Sequence, residues 1–463
     1  MRGTAWFLAF LGVFAFWSDG HVGSVAHAGE LRPGGAGRGG VLSPRASEAA
    51  SVTLRAGAAS IDITPPVGVS LAGYGGLGRR LLLPDLLGLY PYAFWFKPST
   101  GVHLPIMARA LVLEGGQARV LWIAVDLIGV DSQLVRDLTS RLASEGFSYT
   151  AVIVAASHTH SGPGNFSRSR LFGFLALDRF VPEIVDHLLR GMIQAARQAE
   201  LRKVPARVGG GSGEANGIAV SRLDLPLDPE VGVLKVVGAD GAPLALLWNY
   251  AVHGTTLGKE NRHLSGDLMG VANRLLERRL GAPALYTNGA VADVSPARHG
   301  LAAAETLGEE LAREVLAVWE RVPPRQDATL RAVAARAELP EPRLTPRHCF
   351  GGWVPRAVAV GLGWALPPTT ELAAVAVGAY AWLAVPGEID TRLGQEVKAE
   401  GRRFFRGAFV VGLANGYLGY FLARDAYRRP GYIRCASLYG ESGGEVLTGR
   451  AKALLRQLGE SRR

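Results

Sequence analysis

The sequence predicts an α/β chain of mixed α+β character, folded as a single large domain around a mixed β-sheet. Three observations carry that reading. Short runs of β-branched and aromatic residues alternate with segments of helical period instead of being segregated from them. Of the 463 residues, 48% are hydrophobic, enough to bury a sizeable core. Beyond position 52 neither an internal repeat nor a second low-complexity linker interrupts the pattern.

The elements follow in order. Residues 109–113 and 120–125 are β-rich runs joined by Glu114-Gly115-Gly116-Gln117, the signature of a hairpin. A helix is predicted over 131–144, where Leu134, Val135, Leu138 and Leu142 share a stripe and Gly146 supplies the stop. The apolar run 149–156 reads as a buried strand, and 182–199 as the next helix. Residues 231–237 and 243–250 form a second hairpin around Ala239-Asp240-Gly241. Helical patterns recur at 266–279 and 301–322, a third hairpin spans 372–377 and 381–385, and a last helix covers 448–459.

Composition narrows the function classes. Against 40 Asp+Glu stand 50 Lys+Arg, a net charge of +10, but the arginines are scattered and no basic run is interleaved with aromatics, so nucleic acid is not an expected partner. Two cysteines, Cys349 and Cys435, exclude a disulfide scaffold and leave open one bridge or two buried thiols. At the N-terminus Arg2 precedes an apolar run over 5–17, and Ala26-His27-Ala28 offers a small-residue cleavage site. The run is short of the roughly 20 residues that span a bilayer, so 1–28 reads as a signal peptide. Residues 29–52, rich in Gly, Ser and Arg, form the expected tether, and 53–463 the domain. The expected location is secreted or periplasmic, with membrane association as a further option.

Chemistry gathers where strands end. The buried strand runs into Ser157-His158-Thr159-His160-Ser161-Gly162-Pro163-Gly164, and a period of two puts His158 and His160 on one face. A third histidine, His253, also follows an apolar strand and precedes Gly254-Thr255-Thr256. Three imidazoles at strand ends are a pattern that can converge on a metal ion. Glu388 follows the apolar run 381–385 and Pro386-Gly387, where a carboxylate is costly to desolvate unless a cation or donor meets it. With Asp390 and Thr391 next to it, a helix cap is the competing reading.

In these motifs the chain resembles the catalytic N-terminal domain of the neutral/alkaline non-lysosomal ceramidases. The resemblance runs in order through 56–66 with Gly73-Tyr74, Gly101-Val102-His103, 108–110, 157–164, His253-Gly254-Thr255 with Ser265-Gly266-Asp267 and Gly270, the block 288–296, Pro386-Gly387-Glu388, Tyr417 to Tyr420, and 432–439. It implies zinc held by His158, His253, Glu388 and Tyr420, His160 as a proton-handling neighbour, and Arg222 and Tyr432 holding the substrate and its developing oxyanion. Asp293 and Ser295 lie in the block whose serine is regarded as essential in that family. Ser295 lacks a Gly-x-Ser-x-Gly elbow, so a structural or substrate-contacting role stands beside a catalytic one. Arg222 has an ordinary exposed arginine as its alternative, and either Tyr417 or Tyr420 can face the pocket. Family members carry a further immunoglobulin-like domain, which this sequence is expected to lack.

The implied activity is an exported, zinc-dependent amidohydrolase that uses metal-activated water to cleave the N-acyl bond of ceramide or a related lipid amide. A zinc hydrolase of another amide or ester, and a non-catalytic surface binding protein on the same fold, are the alternatives. The stretch 77–105 is unusually apolar and aromatic, which fits either peripheral membrane contact or a lid on the domain. Residues 354–366 resist assignment.

Overall fold

Alternating apolar runs become two packed sheets in the computed structural model, which describes residues 54–350, 353–355, 358–429 and 431–460. The expected signal peptide and tether lie outside the described residues. The first sheet is built from β1 (Arg55–Asp62), β2 (Met107–Gly115), β3 (Ala118–Val125), β4 (Ala151–Ala156), β5 (Val204–Glu214), β6 (Glu230–Gly238), β7 (Pro243–Tyr250) and β8 (Ala284–Asn288). Its order is β8-β7-β6-β5-β1-β2-β3-β4, with β3–β4 and β7–β8 parallel and the other neighbours antiparallel, hence a mixed sheet. The second sheet follows in the chain as β9 (Leu330–Glu338), β10 (Thr369–Val377), β11 (Tyr380–Ala384) and β12 (Gly407–Val411).

The period-2 alternation sorts side chains between layers. On β3, Val120, Trp122 and Ala124 face the second sheet, where Trp382, Val375 and Phe409 meet them. Leu121, Ile123 and Val125 turn the other way, onto α1 (Ser132–Ser144) and α2 (Pro182–Leu201). The far half of the same face carries α3 (Asp267–Leu280) and α4 (Leu301–Arg321) through Trp248, Tyr286, Leu311 and Trp319. The outer face of the second sheet is covered by α5 (Thr391–Gly401) and α6 (Gly443–Glu460). The layers therefore run helix, sheet, sheet, helix.

All three expected hairpins form, and the helices lie within a few residues of their predicted bounds. Strands β5, β8, β9 and β12 are absent from the sequence reading. In β5 the run Gly209-Gly210-Gly211 has the composition of a loop, yet each glycine is a packing requirement. A Cβ at Gly210 would lie 2.2 Å from the Tyr380 ring, and one at Gly211 2.4 Å from Val322. The strand is thus squeezed between the second sheet and the end of α4. The unassigned stretch 354–366 contributes Val360–Gly361, paired with Arg343–Leu344, and buries Leu362 and Leu366 on the outer face of the second sheet.

Cys349 and Cys435 form a disulfide between the short helices Pro346–Phe350 and Tyr432–Cys435. Among the described residues no helix is long and apolar enough to cross a membrane.

Candidate metal centre and its cavities

The ends of β4, β7 and β8 are stitched together by backbone polar groups that would otherwise be unsatisfied. Asn288 Nδ2 donates to Ser157 O (3.1 Å) and Val252 O (2.9 Å). Gly412 N donates to Asn288 O, Ala156 N to Leu413 O, and Asn415 N to Val154 O, so 412–415 fills the space between β8 and β4. This closure sets His158, just beyond β4, against His253, just beyond β7. Their ring centroids are 4.4 Å apart, and His160 lies 5.0 Å from His158.

Two of the rings are oriented from behind. His158 Nδ1 is 2.6 Å from Ile128 O and His253 Nδ1 is 2.7 Å from Val294 O, so each Nδ1–H donates outward and each Nε2 lone pair faces the centre. Glu388, fully buried, projects Oε2 to 3.4 Å from His158 Nε2 and 3.1 Å from His253 Nε2, while its Oε1 accepts from Tyr417 OH at 2.7 Å. Tyr420 is the register partner of Glu388 in a two-residue parallel ladder and lines the same cavity. The helix cap is a neighbouring residue, since Asp390 accepts from Leu393 N and begins α5. Ligand-capable nitrogens of His158, His160 and His253 all lie within 4.8 Å of one another.

The electrostatics match a cation site. His158 Nε2, Glu388 Oε2 and both ring nitrogens of His160 are buried without a hydrogen-bond partner. Such groups are costly unless something satisfies them, and lone pairs converging on one point suit a metal ion with N and O ligands. Burial, reinforced by Arg222 and His158, pushes the His253 imidazole down to about 3, and burial with the two neighbouring rings holds His160 well below its ordinary value. Burial would raise the Glu388 carboxyl, but His158 and His253 outweigh it and hold it well below the usual range. Neutral imidazoles and an ionised carboxylate are the ligand forms a divalent metal needs.

The remaining predicted residues stand on one side of this centre. Residues Ala219–Ser221 pair with Val294–Pro296, and Arg222 N donates to Asp293 O. The half-buried Arg222 then gives Nε to Ser295 Oγ (2.6 Å) and Nη1 to Tyr432 OH, with Nη1 3.1 Å from His253 Nε2. Ser295 Oγ accepts from a guanidinium, a donor and not a base. Asp293 Oδ1 accepts from the N–H and hydroxyl of Thr391, which pins the block to the start of α5. Tyr432 is 60% exposed.

Sequence reasoning missed two supports. Gly73, at φ +99°, lets His160 approach, since a Cβ there would sit 2.3 Å from His160 Nδ1. The buried Arg79 donates to His160 O (3.1 Å) and Lys259 O (2.9 Å). The glycine turn was visible in Gly73-Tyr74, but nothing in the sequence marks Arg79 as buried.

Two cavities meet at the centre. The larger, about 1330 Å³, is lined by His158, His160, Glu388, Tyr417 and Tyr420 at its head and by apolar residues such as Val130, Phe166, Phe172 and Leu366 along its walls. The smaller, about 480 Å³, lies beyond Arg222, Ser295 and Tyr432. Phe172 and the π-helical turn Gly173–Leu177 wall the larger cavity, and Phe174 packs on Trp95 and Arg80 at the base of a loop whose leucines point outward.

The family model described as neutral/alkaline non-lysosomal ceramidase, N-terminal, matches residues 86–315. Over this stretch the chain matches that family's N-terminal domain. Relatives include the neutral ceramidase of Pseudomonas aeruginosa, 27% identical over 48% of this chain and 36% of the relative, and neutral ceramidase 1 of Arabidopsis thaliana, 29% identical over 40% and 26%. The matched part spans about a third of the length of such curated relatives. The fold is also that of the crystal structure of Pseudomonas aeruginosa neutral ceramidase, with a TM-score of 0.76 at 19% identity over 89% of this chain and 75% of that one. A ceramidase complexed with C2 superposes equally well. The ceramidase fold of this chain thus carries a buried histidine group able to hold a metal ion.

Proposed function

We propose that the chain is an exported zinc-dependent amidohydrolase that cleaves the N-acyl bond of ceramide or a related lipid amide. The observation that carries this reading is the convergence of His158, His253 and Glu388, lone pairs inward, at the head of a large apolar cavity. His158, His253, Glu388 and Tyr420 would hold the metal, which when bound supplies Lewis acidity and a water acidic enough to attack near neutral pH.

The chain's own residues do the rest. The cavity walls take the acyl chain and exclude bulk water. Arg222, fixed by Ser295 and aimed past His253 at Tyr432, sets two donors beside the carbonyl oxygen, where negative charge develops. His160, beside the centre with both ring nitrogens unpartnered, is placed to take a proton from the attacking water and pass it to the departing amine nitrogen.

The same reading gives the apolar loop a role at a lipid surface. Leu82, Leu83, Leu86 and Leu87 are exposed, Leu82 at 93%, while the loop base is closed by Leu81 N to Trp95 O and Asp85 N to Phe94 O. A held projection tipped with leucines beside the cavity wall is suited to dipping into a bilayer that contains the substrate. The single disulfide fits an oxidising compartment.

The test is fatty-acid release from a short-chain ceramide by the purified chain, with a chelator and with zinc restored. Release that stops with the chelator and returns with zinc is the expected result. No release from a zinc-loaded chain would move the reading to another amide or ester.

A further inference from the structure

The smaller cavity differs from its neighbour in charge. Arg222, Arg429 and Arg434 line it together with His299, Tyr74 and Tyr432, and no Asp or Glu is among its lining residues. None of these three arginines has a carboxylate within ion-pair distance among the described residues, whereas Arg428, next to Arg429, pairs with Glu441. Arg434 Nε is buried and has no hydrogen-bond partner. Arg429 Nη1 donates to Leu223 O and Arg434 packs over the Tyr427 ring, contacts that hold the side chains without neutralising them. Guanidinium groups gathered without a counter-charge form a site for an oxyanion, which their planar donors meet in pairs.

The cavity also has a place in the reaction geometry. Arg222 and Tyr432 stand between it and the metal centre, Tyr432 lining both cavities and Arg222 Nη1 lying 3.1 Å from His253 Nε2. A lipid amide with its carbonyl at the centre and its acyl chain along the apolar walls must send its amine half past these two residues. We infer that the amine half of the preferred substrate carries an anionic group, a carboxylate or a phosphate, which Arg429 and Arg434 bind. This inference rests on the amidohydrolase reading and names the substrate class within it.

The experiment compares three amides of equal acyl length: a neutral short-chain ceramide, its 1-phosphate, and an N-acyl amino acid. In parallel, inorganic phosphate binding is measured by calorimetry on the same zinc-loaded chain, for wild type, Arg429→Gln and the Arg429→Gln/Arg434→Gln double variant. Metal content reports that each variant is folded, and the exposed Arg429→Gln serves if the double variant is not.

At least one anionic amide is expected to exceed the neutral one in kcat/KM by about tenfold or more, with that ratio collapsing in the double variant. Which arm responds separates carboxylate from phosphate. Equal rates on all three amides, or a ratio that the variants leave unchanged, would overturn the inference. Phosphate binding lost with the arginines while no amide is cleaved would keep the anion site and refute the amidohydrolase reading instead. Neither phosphate binding nor an anionic preference would refute the site.

Discussion

His158 sits at φ +68°, a left-handed conformation that costs a non-glycine residue on the order of 1 kcal/mol or more. Its N–H bonds Leu127 O and its ring bonds Ile128 O, so the strained backbone is fixed where the imidazole is needed. Because His158 and His253 are each braced behind, His158→Ala or His253→Ala should remove most of the bound metal, read by elemental analysis. His160→Ala and Ser295→Ala should keep the metal and lower turnover, and a metal-free His160 variant would make that ring a ligand. The pH dependence of the metal-free chain has a definite sign. His253 and Glu388 both have depressed proton affinity when folded, so the unfolded chain binds more protons as the solution is acidified. Stability should therefore fall as pH drops from about 6.5 towards 3, by a few kcal/mol in total, in urea melts across that range. The three histidines were legible because each follows an apolar strand. Glu388 was ambiguous because Asp390, two residues on, is a good cap, and only packing shows that the two carboxylates divide the roles.

At the level of elements, hairpins and amphipathic helices were readable because a glycine-bearing turn and a helical stripe are local features. The Gly-rich β5 was not, since its glycines answer to Tyr380 and Val322, far away in sequence. Strand β9 was missed for a different reason: much of it is exposed or only half buried, so no apolar alternation marks it. Among element contacts, one buried cluster ties β2 to α3. Arg109 Nε meets Glu277 at 2.6 Å and its Nη1 meets Asp126 at 3.1 Å, just after β3. Arg109→Leu leaves the buried Asp126 uncompensated and should cost about 3–5 kcal/mol, seen as a lower urea midpoint at unchanged slope. Because α3 stands behind β7, metal affinity should weaken in the same variant.

For the whole molecule, two helix-covered sheets serve as a rigid frame, and function is concentrated where 412–415 closes the gap between strand ends. The leucine loop stands outside that frame. Replacing Leu82, Leu83, Leu86 and Leu87 with Ser should reduce sedimentation with phosphatidylcholine–phosphatidylglycerol vesicles at least about tenfold, since each buried leucine contributes roughly 1.5–3 kcal/mol. Turnover of a soluble short-chain amide should be unchanged by the same replacement. The bridge between Cys349 and Cys435 ties down the short helix that carries both Tyr432 and Arg434, whereas His158, His253 and Glu388 reach the centre through strands that do not depend on it. A chain folded among thiols would assemble its metal ligands with one wall of the pocket unfastened. Under the proposed function, oxidation is the event that fastens the wall carrying Tyr432 and Arg434.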